Sequence, residues 1–206
     1  MASNYDNSAS FYDGLSRAVF GTALVDAQAY FLPRIPAGAK VLIIGGGTGW
    51  ILEEIAKVHP TRLNIVYVEI SAKMMAISRK RNIGANQIEF INRAIEEVEY
   101  PEHFDVVITP FLFDNYKQED LPATLRHIHQ MLKPGGTWLN TDFQLTGKWW
   151  QFAMLKSMLL FFKVLCGVES WCLPDVGKEF ESLGYSLIET KSFFKDFVGT
   201  RMYKNG

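Results

Sequence analysis

Between residues 40 and 203, short apolar runs alternate with stretches whose apolar positions recur at helical spacing. The first pattern predicts buried strands and the second amphipathic helices. Residues 40–44 (KVLII) predict a short strand, apolar after its lysine, and residues 50–58 carry Ile51, Leu52, Ile55 and Ala56 on one helical face. His59 and Pro60 end that helix. Residues 63–70 (LNIVYVEI), rich in β-branched side chains, predict a second strand. Ser71 caps a helix that runs to about residue 81 and stops near Gly84. Strands follow at 87–92 and 104–109, then a helix over 118–132 closed by KPGG, then a strand at 137–143. A short helix over 174–183, ended by Gly184, precedes two last strands at 185–193 and 197–203.

Strand–helix alternation of this kind builds a parallel sheet wound on both faces by helices. The last two strands are joined by too few residues for a crossover, so they pair antiparallel. The expected fold is α/β: a single Rossmann-like, doubly wound sheet of seven strands, mostly parallel, with an antiparallel C-terminal hairpin. Ligands of such sheets bind at the carboxyl ends of the strands. No repeat, low-complexity tract or linker composition interrupts the chain, so residues 1–206 are expected to form one domain with a hydrophobic helical insert at about 147–172.

Composition narrows the partners. A hydrophobic share of 48% with 21% charged residues is that of a globular chain. The net charge of −1 creates no long-range field for nucleic acid or an anionic bilayer. Cys166 and Cys172 fit no disulfide framework and no metal spacing, and read as reduced thiols. His127 and His129 stand at i, i+2 on a helix and face different sides, so no metal site is expected. The first ten residues lack a basic region followed by an apolar core, which leaves a cytoplasmic location as the expectation. The apolar run 149–168 approaches the length of a membrane span, but Lys156 and Lys163 interrupt it and exclude that role.

The candidate chemistry begins with GGGTG at Gly45–Gly49, directly between a predicted strand and a predicted helix. Glycines there permit positive φ and bring backbone N–H groups close to a ligand. Glu69 ends the next strand, 20 residues after Gly49, where a carboxylate can accept hydrogen bonds from ribose hydroxyls. A nucleotide, a nicotinamide cofactor and S-adenosylmethionine (SAM) all suit such a pair. A dinucleotide site would place a third glycine at position 50, where this chain has Trp50.

The pattern VLIIGGGTG resembles motif I of the class I SAM-dependent methyltransferases, V-L-D-x-G-C-G-T-G. YDNSASFYDGL (residues 5–15) is similar to the opening of the small-molecule, quinone-biosynthesis-like branch, and FDVVITPFLFDNY (104–116) to its F-D-V-V stretch. LRHIHQMLKPGGTWLNTDF (125–143) resembles the family's L-K-P-G-G segment most specifically. The closing segment 173–194 is similar to the family's last helix and paired strands.

This resemblance implies SAM as cofactor and methyl transfer to a small, hydrophobic molecule. It implies that Gly45, Gly46, Gly47, Thr48 and Gly49 line the methionine and ribose part of SAM, and that Glu69 holds the ribose with Ile70 against the adenine. Ala94 and Ile95 would flank the adenine ring, Thr109, Pro110 and Phe111 would sit beside the sulfonium, and Tyr12 would fold over the cofactor. Asp114 and Tyr116, following the fourth strand, are the candidate catalytic residues if the acceptor must lose a proton. The family usually has an acid at position 43 and another near 94, where this chain has Ile43 and Ala94; Asn92 is a candidate substitute for the second. A catalytically silent SAM-binding protein and a nicotinamide-binding enzyme remain alternatives. An aminopropyltransferase-like enzyme is a weaker one, because Thr48 stands where those enzymes have aspartate. The helix over 149–165 admits three roles: a lid over a hydrophobic acceptor, a homodimer interface or core, or a membrane-surface contact.

Overall fold

In the computed structural model, residues 6, 12–166 and 172–206 are described, with the side chains of Tyr12, Phe162, Val164, Leu165 and Cys166 outside that description. Two short helices, α1 (Tyr12–Phe20) and α2 (Ala23–Ala29), come first. The alternation then runs β1 (Lys40–Ile44), α3 (Trp50–Val58), β2 (Thr61–Val68), α4 (Ala72–Ser78), β3 (Ala85–Ile91), β4 (Phe104–Pro110), α5 (Leu121–His129) and β5 (Leu132–Phe143). Helices α6 (Trp149–Cys166) and α7 (Val176–Ser182) lead to β6 (Tyr185–Phe193) and β7 (Val198–Asn205).

One sheet of seven strands, in the order β3-β2-β1-β4-β5-β7-β6, joins these elements. Strands β1 to β5 pair parallel, and β7 runs antiparallel to both β5 and β6. The last strand therefore lies inside the sheet, and β6 forms its edge. Successive residues of β1 serve opposite layers. Leu42 and Ile44 pack with Trp138, Leu125 and Phe180 beneath α5 and α7, whereas Val41 and Ile43 pack with Ile51, Leu52 and Ile55 of α3. A continuous apolar run is what a strand covered on both faces requires. Each such fully buried side chain contributes on the order of 2 kcal/mol. A third cluster joins Phe20, Leu24, Phe143, Leu155, Leu159 and Phe197, holding α1, α2 and α6 together.

Several boundaries differ from the sequence expectation. KPGG lies within β5 rather than before it: Leu132 pairs with Phe104, the register breaks, and pairing resumes at Thr137 opposite Val106. Gly135, at φ 69, allows that bulge. Helix α5 begins at Leu121, not 118, because Pro122 suits only the first turn of a helix. Ser71 caps α4 as expected, its hydroxyl accepting from the Met74 amide at 3.1 Å. Helix α2, which carries no strong apolar period, went unread in the sequence; it packs on α3, β6 and β7. Among the described residues no helix is long and apolar enough to cross a membrane.

Candidate functional site

Strands β1, β2 and β4 end on one side of the sheet, and the chain following them borders a cavity of about 990 Å³. After β1, Gly45, Gly47 and Gly49 hold φ values of 70, 59 and 83°. Gly46 serves differently: a Cβ there would lie 2.5 Å from the Tyr67 ring. Tyr67 uses that room to donate from its hydroxyl to the Gly47 carbonyl at 3.0 Å. The turn is thus braced from below by β2.

Glu69, just after β2, is 6% exposed. Its Oε2 accepts the Gly47 amide at 3.0 Å and its Oε1 the Ser71 amide at 2.8 Å. Burial pushes this carboxyl above its ordinary range, and the Ser71, Gly47 and Ile70 amides oppose the shift. Each oxygen keeps a further lone pair for a ligand hydroxyl. Ile70, Ala94, Ile95 and Met74 stand on the same part of the cavity wall.

The N-terminal segment is tied to the glycine turn by charge. Thr48 donates to Asp13 of α1 at 2.6 Å, and Arg81 donates to the other Asp13 oxygen at 2.7 Å. Arg81 also reaches the Thr48 carbonyl at 2.8 Å and Glu53 at 3.3 Å. The guanidinium groups of Arg81 and Arg17 each lie 4.2 Å from the Trp50 ring centroid, a pair of cation–π contacts. Trp50, which in sequence spoke only against a dinucleotide, is the platform for this clasp. Asp6 extends it, accepting the Ser71 hydroxyl at 2.5 Å.

The far wall is acidic at its base and apolar above. Phe111 leaves β4 at φ 52, a conformation a bulky side chain adopts only when its surroundings impose it, and its ring packs 5.0 Å from that of Phe143. The turn Phe113–Asn115 follows. Asp114 borders the cavity there, and Asp142 lies buried beside it at the end of β5. Tyr116 donates to Glu96 at 3.0 Å; burial and the Glu96 charge raise its phenol, which sets it against acting as a base at neutral pH. From α6, Met154, Ser157, Met158 and Phe161 complete this end.

Most of the expected site residues meet at this cavity: Gly45 to Thr48, Glu69, Ile70, Ala94, Ile95, Pro110, Phe111, Asp114 and Tyr116 all line it. Gly49 and Thr109 do not. A Cβ on Gly49 would meet Ser78 at 2.7 Å, so this glycine serves helix packing. The Thr109 hydroxyl is buried between Asn140, at 2.9 Å, and the Trp138 indole, at 3.0 Å, which turns its side chain away from the cavity. The side chain of Tyr12 lies outside the described residues. Asn92 is spent on the backbone carbonyls of Glu69 and Ile70 and is absent from the wall, whereas Glu96, two residues beyond Ala94, is part of it. Ile43 is fully buried in the layer against α3 and forms no part of the wall. Sequence reasoning overlooked Asp13, Arg17, Glu96 and Asp142. The acids at 13 and 142 stood inside the quoted motifs, but nothing local marked them as site residues.

Residues 41–136 match a family model described as a methyltransferase domain. The ubiquinone/menaquinone biosynthesis C-methyltransferase UbiE of Pseudomonas putida is 31% identical over 116 residues, covering 54% of this chain and 44% of that protein. Over residues 41–136 the chain carries a methyltransferase domain of the class I, SAM-dependent type. It matches less than half the length of that relative. Two solved structures show the same fold around the methyltransferase domain. One is a SAM-dependent methyltransferase from Aquifex aeolicus, with a TM-score of 0.68 at 15% identity, over 96% of this chain and 98% of that one. The other is the 1,6-didemethyltoxoflavin N1-methyltransferase of Burkholderia thailandensis, solved with 1,6-didemethyltoxoflavin and S-adenosylhomocysteine. Its TM-score is 0.67 at 13% identity, over 96% of this chain and 84% of that one.

The donor set of the methyltransferase domain fits SAM. A ribose diol needs paired acceptor oxygens, and Glu69 presents a carboxylate fixed by two amides. An adenine ring needs apolar walls, and Ile70 and Ile95 supply them. Helix α6 is part of the cavity wall on one side, while Trp149, Phe152 and Leu160 are exposed on its outer side, Trp149 at 82%.

Proposed function

We propose that this protein transfers the methyl group of SAM to a small, largely apolar acceptor. The observation that carries this reading is the continuity of the cavity. One end is built from the glycine turn and Glu69, the other from Phe20, Leu24, Phe143, Met154 and Met158. At about 990 Å³ it lies at the upper end of the range for ligand pockets, which suits a cofactor and a second molecule together.

In this reading Glu69 holds the ribose hydroxyls, Ile70, Ala94 and Ile95 enclose the adenine, and Pro110 and Phe111 border the sulfonium. Glu96 supplies the acceptor for the adenine amino group that Ala94 lacks. Tyr12 and α1 cover the cofactor, and α6 is the lid over the acceptor rather than a dimer or membrane contact. SAM, when bound, supplies a methyl group already activated for in-line displacement. The chain's own task is then to align the nucleophile and exclude water, and alignment accounts for much of the rate of such steps. Asp114 is the polar group nearest to hand for the acceptor.

Calorimetry with S-adenosylhomocysteine against NADP, followed by an acceptor library of apolar phenols, enols and amines, tests this. Micromolar binding of S-adenosylhomocysteine and turnover on a library member are expected. Preferential NADP binding overturns the reading. Binding without turnover on any member makes the protein a silent SAM binder.

A further inference from the structure

Two carboxyl groups lie together beneath the acceptor end of the cavity, and the backbone treats them unequally. Asp142 is 4% exposed, and each of its oxygens accepts an amide: Phe113 N–H at 3.2 Å on Oδ2 and Phe143 N–H at 2.9 Å on Oδ1. The Arg201 guanidinium of β7 and, more weakly, the Asp114 amide also favour its ionised form. Arg201 itself is bound to Gln144. Asp114 receives one side-chain hydrogen bond, from Asn115 Nδ2 to Oδ1 at 2.6 Å, its own amide and that of Asn115 favour its ionised form more weakly, and the residue borders the cavity. Among the described residues no lysine or arginine pairs with it. The charged groups elsewhere on the cavity are Asp13 and Arg17 of α1, Glu69, Arg93, Glu96, and Lys117, Glu119 and Asp120 before α5.

Two neighbouring carboxylates withdrawn from water do not both ionise, and the charge settles where dipoles already point at it. That place is Asp142. We propose that Asp114 meets the acceptor as a neutral carboxylic acid donating a hydrogen bond into the cavity, while Asp142 beneath it carries the charge of the pair. Burial raises both groups, Asp142 to about 7, and the Asp142 charge raises Asp114 further. Asp114 is then no base. Its proton stays on it through the transfer and polarises an oxygen of the bound molecule. The acceptor class follows: an apolar molecule that presents a carbonyl, phenolate or enolate oxygen beside the atom to be methylated. An ammonium group would find no anion at Asp114.

The acceptor part of this inference rests on the methyltransferase reading, whereas the protonation of Asp114 is measurable without it. Carbon NMR of protein labelled at the aspartate carboxyl carbon, between about pH 4 and 9, reads it directly. A carboxyl signal that stays protonated after Asp142 has ionised near pH 7 is expected, absent in Asp114→Asn and ionising at lower pH in Asp142→Asn, where the like charge is gone. Titration of Asp114 in the ordinary carboxylate range overturns the proposal, and the wild-type protein alone reports that outcome. So does a signal still protonated above that transition that survives in Asp114→Asn and vanishes in Asp142→Asn. S-adenosylhomocysteine binding on the same samples separates the two ideas: its absence faults the methyltransferase reading and leaves the carboxyl titration standing. On a library acceptor, Asp114→Leu raises KM about tenfold, the worth of one buried hydrogen bond, and Asp114→Asn recovers much of it. Equal loss in both variants rejects the donor role.

Discussion

Gly46 shows how one missing methyl group sets the cofactor turn. It has no unusual φ, so its glycine is required by the Tyr67 ring alone. Gly46→Ala forces that ring aside and breaks its hold on the Gly47 carbonyl. Overpacking of this kind costs about 1–3 kcal/mol, which lowers Tm by roughly 5 °C in a chain of this size. Circular dichroism melting checks it, and an unchanged Tm would mean Tyr67 moves freely. In the proposed function Glu69 carries the heavier share. Removing a charged acceptor of two hydroxyls in Glu69→Ala is expected to weaken S-adenosylhomocysteine about 100-fold by calorimetry, from charged hydrogen bonds worth about 1.5–3 kcal/mol each. A loss under threefold would place the ribose elsewhere. Glu69 was legible in the sequence because its spacing from the glycine turn is a local matter, one strand and one helix long.

At the scale of elements, α1 is held by a charged clasp in addition to the packing of Phe20. Its Asp13 bridges Thr48 and Arg81, with side chains only 29% and 14% exposed for the ion pair, so the contact is partly shielded from solvent. Asp13→Ala removes both bonds and leaves Arg81 to Glu53 and Trp50. Proteolysis within Tyr12–Phe20 should then accelerate, and S-adenosylhomocysteine affinity should fall about tenfold, the scale of one charge-assisted bond. An unaltered cleavage rate would show that α1 is held by Phe20 and its apolar neighbours instead. The helices α3 and α4 and all seven strands could be read from period and caps, because each buries a regular face. Helix α2 could not, since its buried residues, Leu24 and Ala27, set too short a pattern.

For the molecule as a whole, the buried acid pair makes stability depend on pH. Asp142, the first of the pair to ionise, rises from an ordinary 3.8 to about 7 in the folded state, so between those values the native protein holds a proton on it that the unfolded chain has released. The linked stability is fully present below about pH 4 and is lost as pH climbs through 7. Asp105 and Asp175, lowered by their lysine partners, contribute in the opposite sense, so the pair is isolated by difference. Wild-type Tm should fall more steeply than that of Asp142→Asn between about pH 5 and 7.5. The asparagine variant carries a constant offset from its amide facing a backbone N–H, which leaves the slope readable. Parallel slopes would show that the pair ionises normally.

By itself the sequence determined the order and kind of the strands, the glycine turn, Glu69 and the neighbourhood of Asp114, because each is written in contacts between residues close along the chain. Tertiary structure alone decided the rest. It placed β7 between β5 and β6, turned Thr109 and Ile43 away from the cavity, and put Glu96 beside Ala94 on its wall. It also joined Asp13 to Arg81 across 68 positions and set Asp142 beneath Asp114. Those juxtapositions come from strand ends brought to one edge by the winding of the sheet, and a partner reached through space leaves no period or spacing in the chain to announce it.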